Sequence, residues 1–175
     1  MKTKSFLRII VILFILSINI GCDQVSKSIV RSKLDENSRV SFLHDHVHLF
    51  KVENTGAFLS FGTSLPAPLK MIFLNLMPLA VVIFGLIFIL SKPTLNRLMV
   101  FGLIMVVGGG IGNLYDRIIH GSVTDFMHIN FGLFQTGIFN VADVSIMIGL
   151  LIILIQALVN RKVEAELNNL DENQI

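Results

Sequence analysis

Apolar residues in this chain gather in four long blocks, at roughly residues 5–22, 69–90, 97–115 and 138–159. Each block approaches or meets the ~20 residues that an α-helix needs to cross a hydrocarbon core of ~30 Å. The pattern therefore predicts an all-α membrane protein, a four-transmembrane-helix bundle in which 1–175 forms a single integral membrane domain. Two longer polar segments, 23–68 and 116–137, and a short connection at 91–96 separate the blocks. Within the first segment, VSFLHDHVHLFKVE (40–53) alternates its polar and apolar positions and is rich in β-branched and aromatic residues, which predicts a strand. A small β-rich element outside the membrane follows from it. Asn54-Thr55-Gly56 predicts a turn, and the polar tail 160–175 a frayed end of the last helix.

Composition strengthens this picture: 53% of the residues are hydrophobic and 15% charged, where a soluble domain carries about 25% charged. A water-soluble monomer is excluded. Lys2, Lys4 and Arg8, then Lys92 and Arg97, then Arg161 and Lys162 all fall on one side if the spans alternate, and the positive-inside rule makes that side cytoplasmic. Both termini are then inside, and 23–68 and 116–137 are outside. A net charge of +2 without a basic run gives no footprint for nucleic acid. Cys22 is the only cysteine and cannot form an internal disulfide. Its context, INIGC, also reads as the end of a lipoprotein signal, but Asn19 stands where such signals usually carry Leu, and three more spans follow. We expect the first block to be retained as a membrane helix.

Between Lys70 and Arg161 the only ionised side chains are Lys92, Arg97, Asp116, Arg117, Asp125 and Asp143. With Asp23, the acids of this set all fall on the outer side of the predicted topology. Asp143 is expected a turn or two inside the fourth span, where an ionised carboxylate costs at least ~2.5 kcal/mol unless it is paired or functional. The structural reading is that each acid caps a helix or pairs with Arg117 or Lys27. That is credible for Asp23 and Asp116 but weaker for Asp143, which has no cation within fifteen residues on either side. Two carboxylates held close together share a proton, so one can deprotonate water while the other protonates a carbonyl or leaving amine. Asp125, in a Gly-bounded loop, and Asp143, on a helix, are the natural pair.

Three other readings compete. His44, His46 and His48 alternate and would share one strand face, which could bind zinc. Intramembrane acids also mark ion paths, so a small proton-relaying transporter is a second rival, although the inner half of every span lacks them. GGGIGN at 108–113 suggests phosphate binding, yet it sits inside a span with no preceding strand, and Gly108 and Gly112 form a small-xxx-small pair suited to helix packing.

Five motifs carry a family resemblance: Asp23-Gln24-Val25-Ser26-Lys27, Asn54-Thr55-Gly56-Ala57-Phe58, Gly109-Gly110-Ile111-Gly112-Asn113-Leu114-Tyr115-Asp116-Arg117, Gly121-Ser122-Val123-Thr124-Asp125-Phe126 and Phe139-Asn140-Val141-Ala142-Asp143. In this order they resemble the successive motifs of the prolipoprotein signal peptidases, the type II bacterial signal peptidases. The resemblance implies an aspartic endopeptidase of the bacterial inner membrane that removes the signal peptide in front of a diacylglyceryl-modified cysteine. It implies that Asp125 and Asp143 are catalytic, that Asn54, Gly56, Asn113, Arg117 and Asn140 line the site and hold substrate, and that Asp116 supports it. Asp23 and Lys27 match a structural first-helix motif. Cys22 before the first motif and Ile138, where many members have Pro, are the departures. The expected partners are lipid-modified prolipoprotein signal peptides and membrane lipid, with the chain acting as a monomer and needing neither cofactor nor metal.

Overall fold

The first helix does not stop where hydropathy falls. In the computed structural model, which describes residues 2–35, 38–57 and 61–172, α1 runs over Lys2–Lys33 and its membrane-length part over Phe6–Lys33. Phe58 of the second motif lies outside the described residues. The expected end at residue 22 is thus wrong by about three turns. Asp23, Lys27 and Arg31 recur at every fourth position, so they share one helix face and can meet buried partners along it. Hydropathy counted them only as polar.

The second block forms α2, Ala67–Ser91, in which Met71–Leu76 is π-wound and the Met77 N–H reaches Ile72 O. Pro78 follows directly; it has no N–H for the carbonyl four residues back, and its ring crowds that carbonyl, so a wider turn just before it relieves the clash. Helix α3, Arg97–His120, starts at Asn96, whose side chain accepts from Met99 N at 2.7 Å, and ends at Gly121, whose φ of +76° favours glycine. Helix α4 runs from Val141 through Glu172, three residues later than expected because Asn140 caps it.

Half of the apolar window of α3 is buried, against 22%, 11% and 17% for the other three spans, so α3 is the central helix and the others face lipid on their outer sides. Glycine makes that possible. A Cβ on Gly109 would run into Ala142 O and one on Gly112 into the Asp23 carboxylate, so α3 approaches both α4 and α1 at backbone distance. Ile12, Leu16, Val82, Ile89, Val100, Ile104 and Val107 form the apolar core between α1, α2 and α3.

Outside the helices a four-stranded antiparallel sheet has the order β1-β2-β3-β4, with β1 Val40–Phe42, β2 Val47–Asn54, β3 Val123–Phe131 and β4 Phe134–Gln135. The single strand expected at 40–53 is a hairpin, because Leu43, His44 and Asp45 all take positive φ and reverse the chain. That reversal also undoes the shared histidine face. His44 lies in the turn, His46 meets Asn130 O at 2.9 Å, and His48 is buried against Ser41 Oγ at 3.0 Å. Among the described residues no group of three potential metal ligands converges. Asp125 correspondingly lies on β3, paired with Val52 of β2, and not in a loop.

Candidate active site

Asn140 joins the two aspartates. It is the N-cap of α4 and its Oδ1 accepts from Asp143 N at 3.0 Å, while the Asp143 carboxylate accepts from Asn140 N at 3.1 Å. This reciprocal capping box places Asp143 in the first turn of α4, at its end rather than a turn or two inside. The Asn140 side-chain amide then donates to Asp125 Oδ1 at 2.7 Å. Strand β3 is held there by Phe139, whose carbonyl accepts from Phe126 N and Met127 N. The other oxygen of Asp125 accepts from Asn54 Nδ2 at 2.9 Å, and Asn54 Oδ1 takes the Gly56 N–H at 2.9 Å, so the expected turn is built by the Asn54 side chain.

Burial pushes the Asp125 carboxyl up to about 6, against the amides of Asn54 and Asn140 that favour its anion; the Asp143 charge pushes the same way as burial. A carboxyl whose proton affinity is raised toward the working pH, beside a second carboxylate, suits acid–base chemistry.

Behind the pair lies a buried ionic cluster. Lys27, fully buried, contacts Asp23 at 2.8 Å, Asp116 at 2.9 Å and Asn113 Oδ1 at 2.9 Å, and Arg31 pairs with Asp116 at 2.8 Å. Two cations face two anions, so the cluster is neutral. It acts on the site in two ways. Asn113 Oδ1 accepts from Lys27 and from Asn140, which turns its NH₂ toward Asp143 Oδ1 at 2.8 Å. Asp23 Oδ1 accepts from Ala142 N at 2.9 Å, satisfying an orphan donor at the start of α4 from a different helix. Asp116 therefore supports α1, while its neighbour Arg117 points elsewhere and donates to Gly56 O at 2.9 Å. Among the described residues, the buried Arg117 Nε has no hydrogen-bond partner.

Two cavities flank the pair. One, of about 440 Å³, contains Asp143, Asn113 and Arg117 and is walled by apolar residues of α2 and α4 such as Phe73, Met77, Ile146 and Leu150. The other, of about 470 Å³, contains Asp125, Asn54, His128 and Thr136 on the sheet side. The aspartates stand between an apolar slot among the helices and a cavity on the sheet side lined mostly by polar residues.

The sequence profile described as Signal peptidase (SPase) II matches residues 12–159. The chain belongs to the signal peptidase II family. It is 35% identical over 160 residues to the lipoprotein signal peptidase of Borreliella burgdorferi (strain ZS7), covering 88% of this chain and 91% of the relative. The lipoprotein signal peptidase of Borrelia duttonii (strain Ly) is 31% identical over 154 residues, covering 85% and 89%. A solved structure described as a bacterial membrane enzyme determined by the in meso method superimposes with a TM-score of 0.76 at 26% identity, covering 86% of this chain and 89% of the other. This signal peptidase II family member is a multi-pass membrane protein and a protease, a hydrolase of aspartic type, which removes the transporter and metal-binder readings.

The structure brings Asp23, Lys27, Asn113, Asp116, Asp125, Asn140 and Asp143 of this family member into one connected network, which Asn54 joins through Asp125. Sequence reasoning gave no role to Arg31, Glu53 or Ser122. Arg31 Nε donates to Thr124 Oγ1 at 2.7 Å, and Glu53 accepts from Thr124 at 3.0 Å and from Ser122 at 2.6 Å, tying the sheet to α1. The four-residue spacing of Asp23, Lys27 and Arg31 was the available signal.

Proposed function

We propose that this protein cleaves the signal peptide of prolipoproteins immediately before a diacylglyceryl-modified cysteine, with Asp125 and Asp143 as the catalytic pair. The observation that carries the reading is the shared attachment of both carboxylates to Asn140, between an apolar and a polar cavity. One carboxylate takes a proton from water, and the hydroxide attacks the scissile carbonyl carbon as the other carboxyl protonates the carbonyl oxygen. The first carboxyl then protonates the departing cysteine amine, and the C–N bond breaks as a hydroxyl of the gem-diol returns its proton to the second carboxylate, which regenerates the pair. Asn54, Asn113 and Asn140 hold the two carboxylates in register. The open Nε donor of Arg117, beside Asp143 in the apolar slot, suits a substrate carbonyl. Hydrolysis needs water while acyl chains stay in lipid, and a pair at the helix ends satisfies both.

The protein sits in the bacterial inner membrane with both termini cytoplasmic, the aspartates and the sheet at the outer face, and it works as a monomer on a substrate that enters sideways from lipid. Lipid on the cysteine acts through position, since acyl chains fix the scissile bond at the depth of the pair. The test is incubation of the purified protein with a diacylglyceryl-modified prolipoprotein and with the same precursor carrying a free thiol, read by mass spectrometry. Cleavage before the cysteine, much faster with lipid, is expected. Equal rates would overturn the lipid-dependent reading, and cleavage elsewhere would overturn the site.

A further inference from the structure

A third cavity, larger than the two beside the aspartates, lies at the other end of the bundle. It measures about 670 Å³, opens between α1 and α3, and is walled by Leu7, Val11, Ile15, Val100, Phe101 and Ile104. Arg8 and Arg97 stand in its wall, and no Asp or Glu does. Arg97 is twenty residues before Arg117 on the same straight helix, about 30 Å at 1.5 Å per residue, so this cavity meets the opposite face of the hydrocarbon core.

The two guanidiniums differ in their surroundings. Arg8 Nη2 donates to Ile89 O at 3.1 Å and Lys92 O at 2.9 Å, so it is held in place by the end of α2 without losing its charge to an acid. Arg97, among the described residues, has neither an ion pair nor a side-chain hydrogen bond. Five N–H donors per guanidinium leave most of this donor capacity open. The ligand that fits an apolar slot with two uncompensated cations at its mouth is an amphiphile with an anionic head and at least one acyl chain.

We propose that this groove is a binding site for an anionic phospholipid, whose phosphate is held by Arg8 and Arg97 and whose acyl chain lies along Val11, Ile15, Val100, Phe101 and Ile104. A zwitterionic lipid offers the same chain but places a cation beside the guanidiniums, so head-group charge decides occupancy. The proposal concerns the membrane face remote from the aspartates and stands whatever the substrate.

Native mass spectrometry of the full chain in detergent, titrated with phosphatidylglycerol and with phosphatidylcholine, tests it. Phosphatidylglycerol should bind tighter. Arg97→Gln, which breaks no hydrogen bond or ion pair among the described residues, should weaken it about fivefold, and Arg8→Gln with Arg97→Gln about thirtyfold, the effect expected per basic residue near anionic lipid. Val11→Trp keeps both charges, fills the slot, and should weaken both lipids. Arg161→Gln, at the same end but outside the cavity, should leave the phosphatidylglycerol affinity within twofold. The proposal falls if both lipids bind alike, if Arg97→Gln is silent, or if Arg161→Gln costs as much as Arg97→Gln.

Discussion

Replacing Lys27 by Met isolates what the buried cluster contributes. Methionine fills a similar volume, so the cost is electrostatic. Asp116 keeps Arg31 at 2.8 Å, whereas Asp23 retains only uncharged donors, Ala142 N at 2.9 Å and Gln24 Nε2 at 3.0 Å. One fully buried carboxylate, not two, is left without a cation, and stability should fall by about 3–5 kcal/mol, the usual cost of removing one partner of a buried pair. Adding Asp23→Asn removes that stranded charge while Oδ1 can still accept from Ala142, so the double variant should regain most of the loss. Activity should not follow. Without Lys27 only Asn140 still orients the Asn113 amide, so its bond to the Asp143 carboxylate weakens; such a bond to a charged group is worth about 1.5–3 kcal/mol, and kcat should drop about 10-fold, and at most about 100-fold, in both variants. Thermal unfolding in one detergent and single-turnover cleavage of a lipidated precursor supply the two readouts. A double variant no more stable than Lys27→Met would refute the stranded-charge reasoning, and full activity in either would refute the orienting role of Lys27.

Asp125→Asn and Asp143→Asn should each lower cleavage by more than about 10⁴-fold in folded, inserted protein, since members of one catalytic unit are lost together; substantial turnover in either would remove the pair. Because burial lifts Asp125 from 3.8 to about 6, the folded chain binds more protons than the unfolded chain between those values, and this group's contribution to stability falls as pH rises across that window by about 3 kcal/mol. The stability difference between wild type and Asp125→Asn should therefore decline from pH 4 to 6, and a flat or rising difference curve would contradict the burial argument. Arg117→Ala should reduce kcat/KM about 10- to 100-fold through loss of the charged contact to Gly56 O, whereas Arg161→Ala at the far end should be near wild type; equal losses at matched protein level would point to topology instead of site chemistry.

The four membrane helices were legible because the bilayer imposes one demand, length of apolar sequence, that a linear count can read. The motif order carried the family in the same direct way. Helix ends were not legible, because they depend on partners. Asp23, Lys27 and Arg31 lower local hydropathy, yet they extend α1 by three turns because Asp116, Asn113 and Thr124 from distant parts of the chain neutralise and bond them. The histidine alternation suggested one face, and three positive-φ residues in the hairpin separated it. Sequence pattern could nominate Asp125 and Asp143 as a pair, but only the tertiary structure supplied their link, a single asparagine that caps one aspartate's helix and binds the other's carboxylate. Local sequence determines which groups a segment can bury; which charges meet there is decided by contacts between segments far apart in the chain, and those form only when the helices pack.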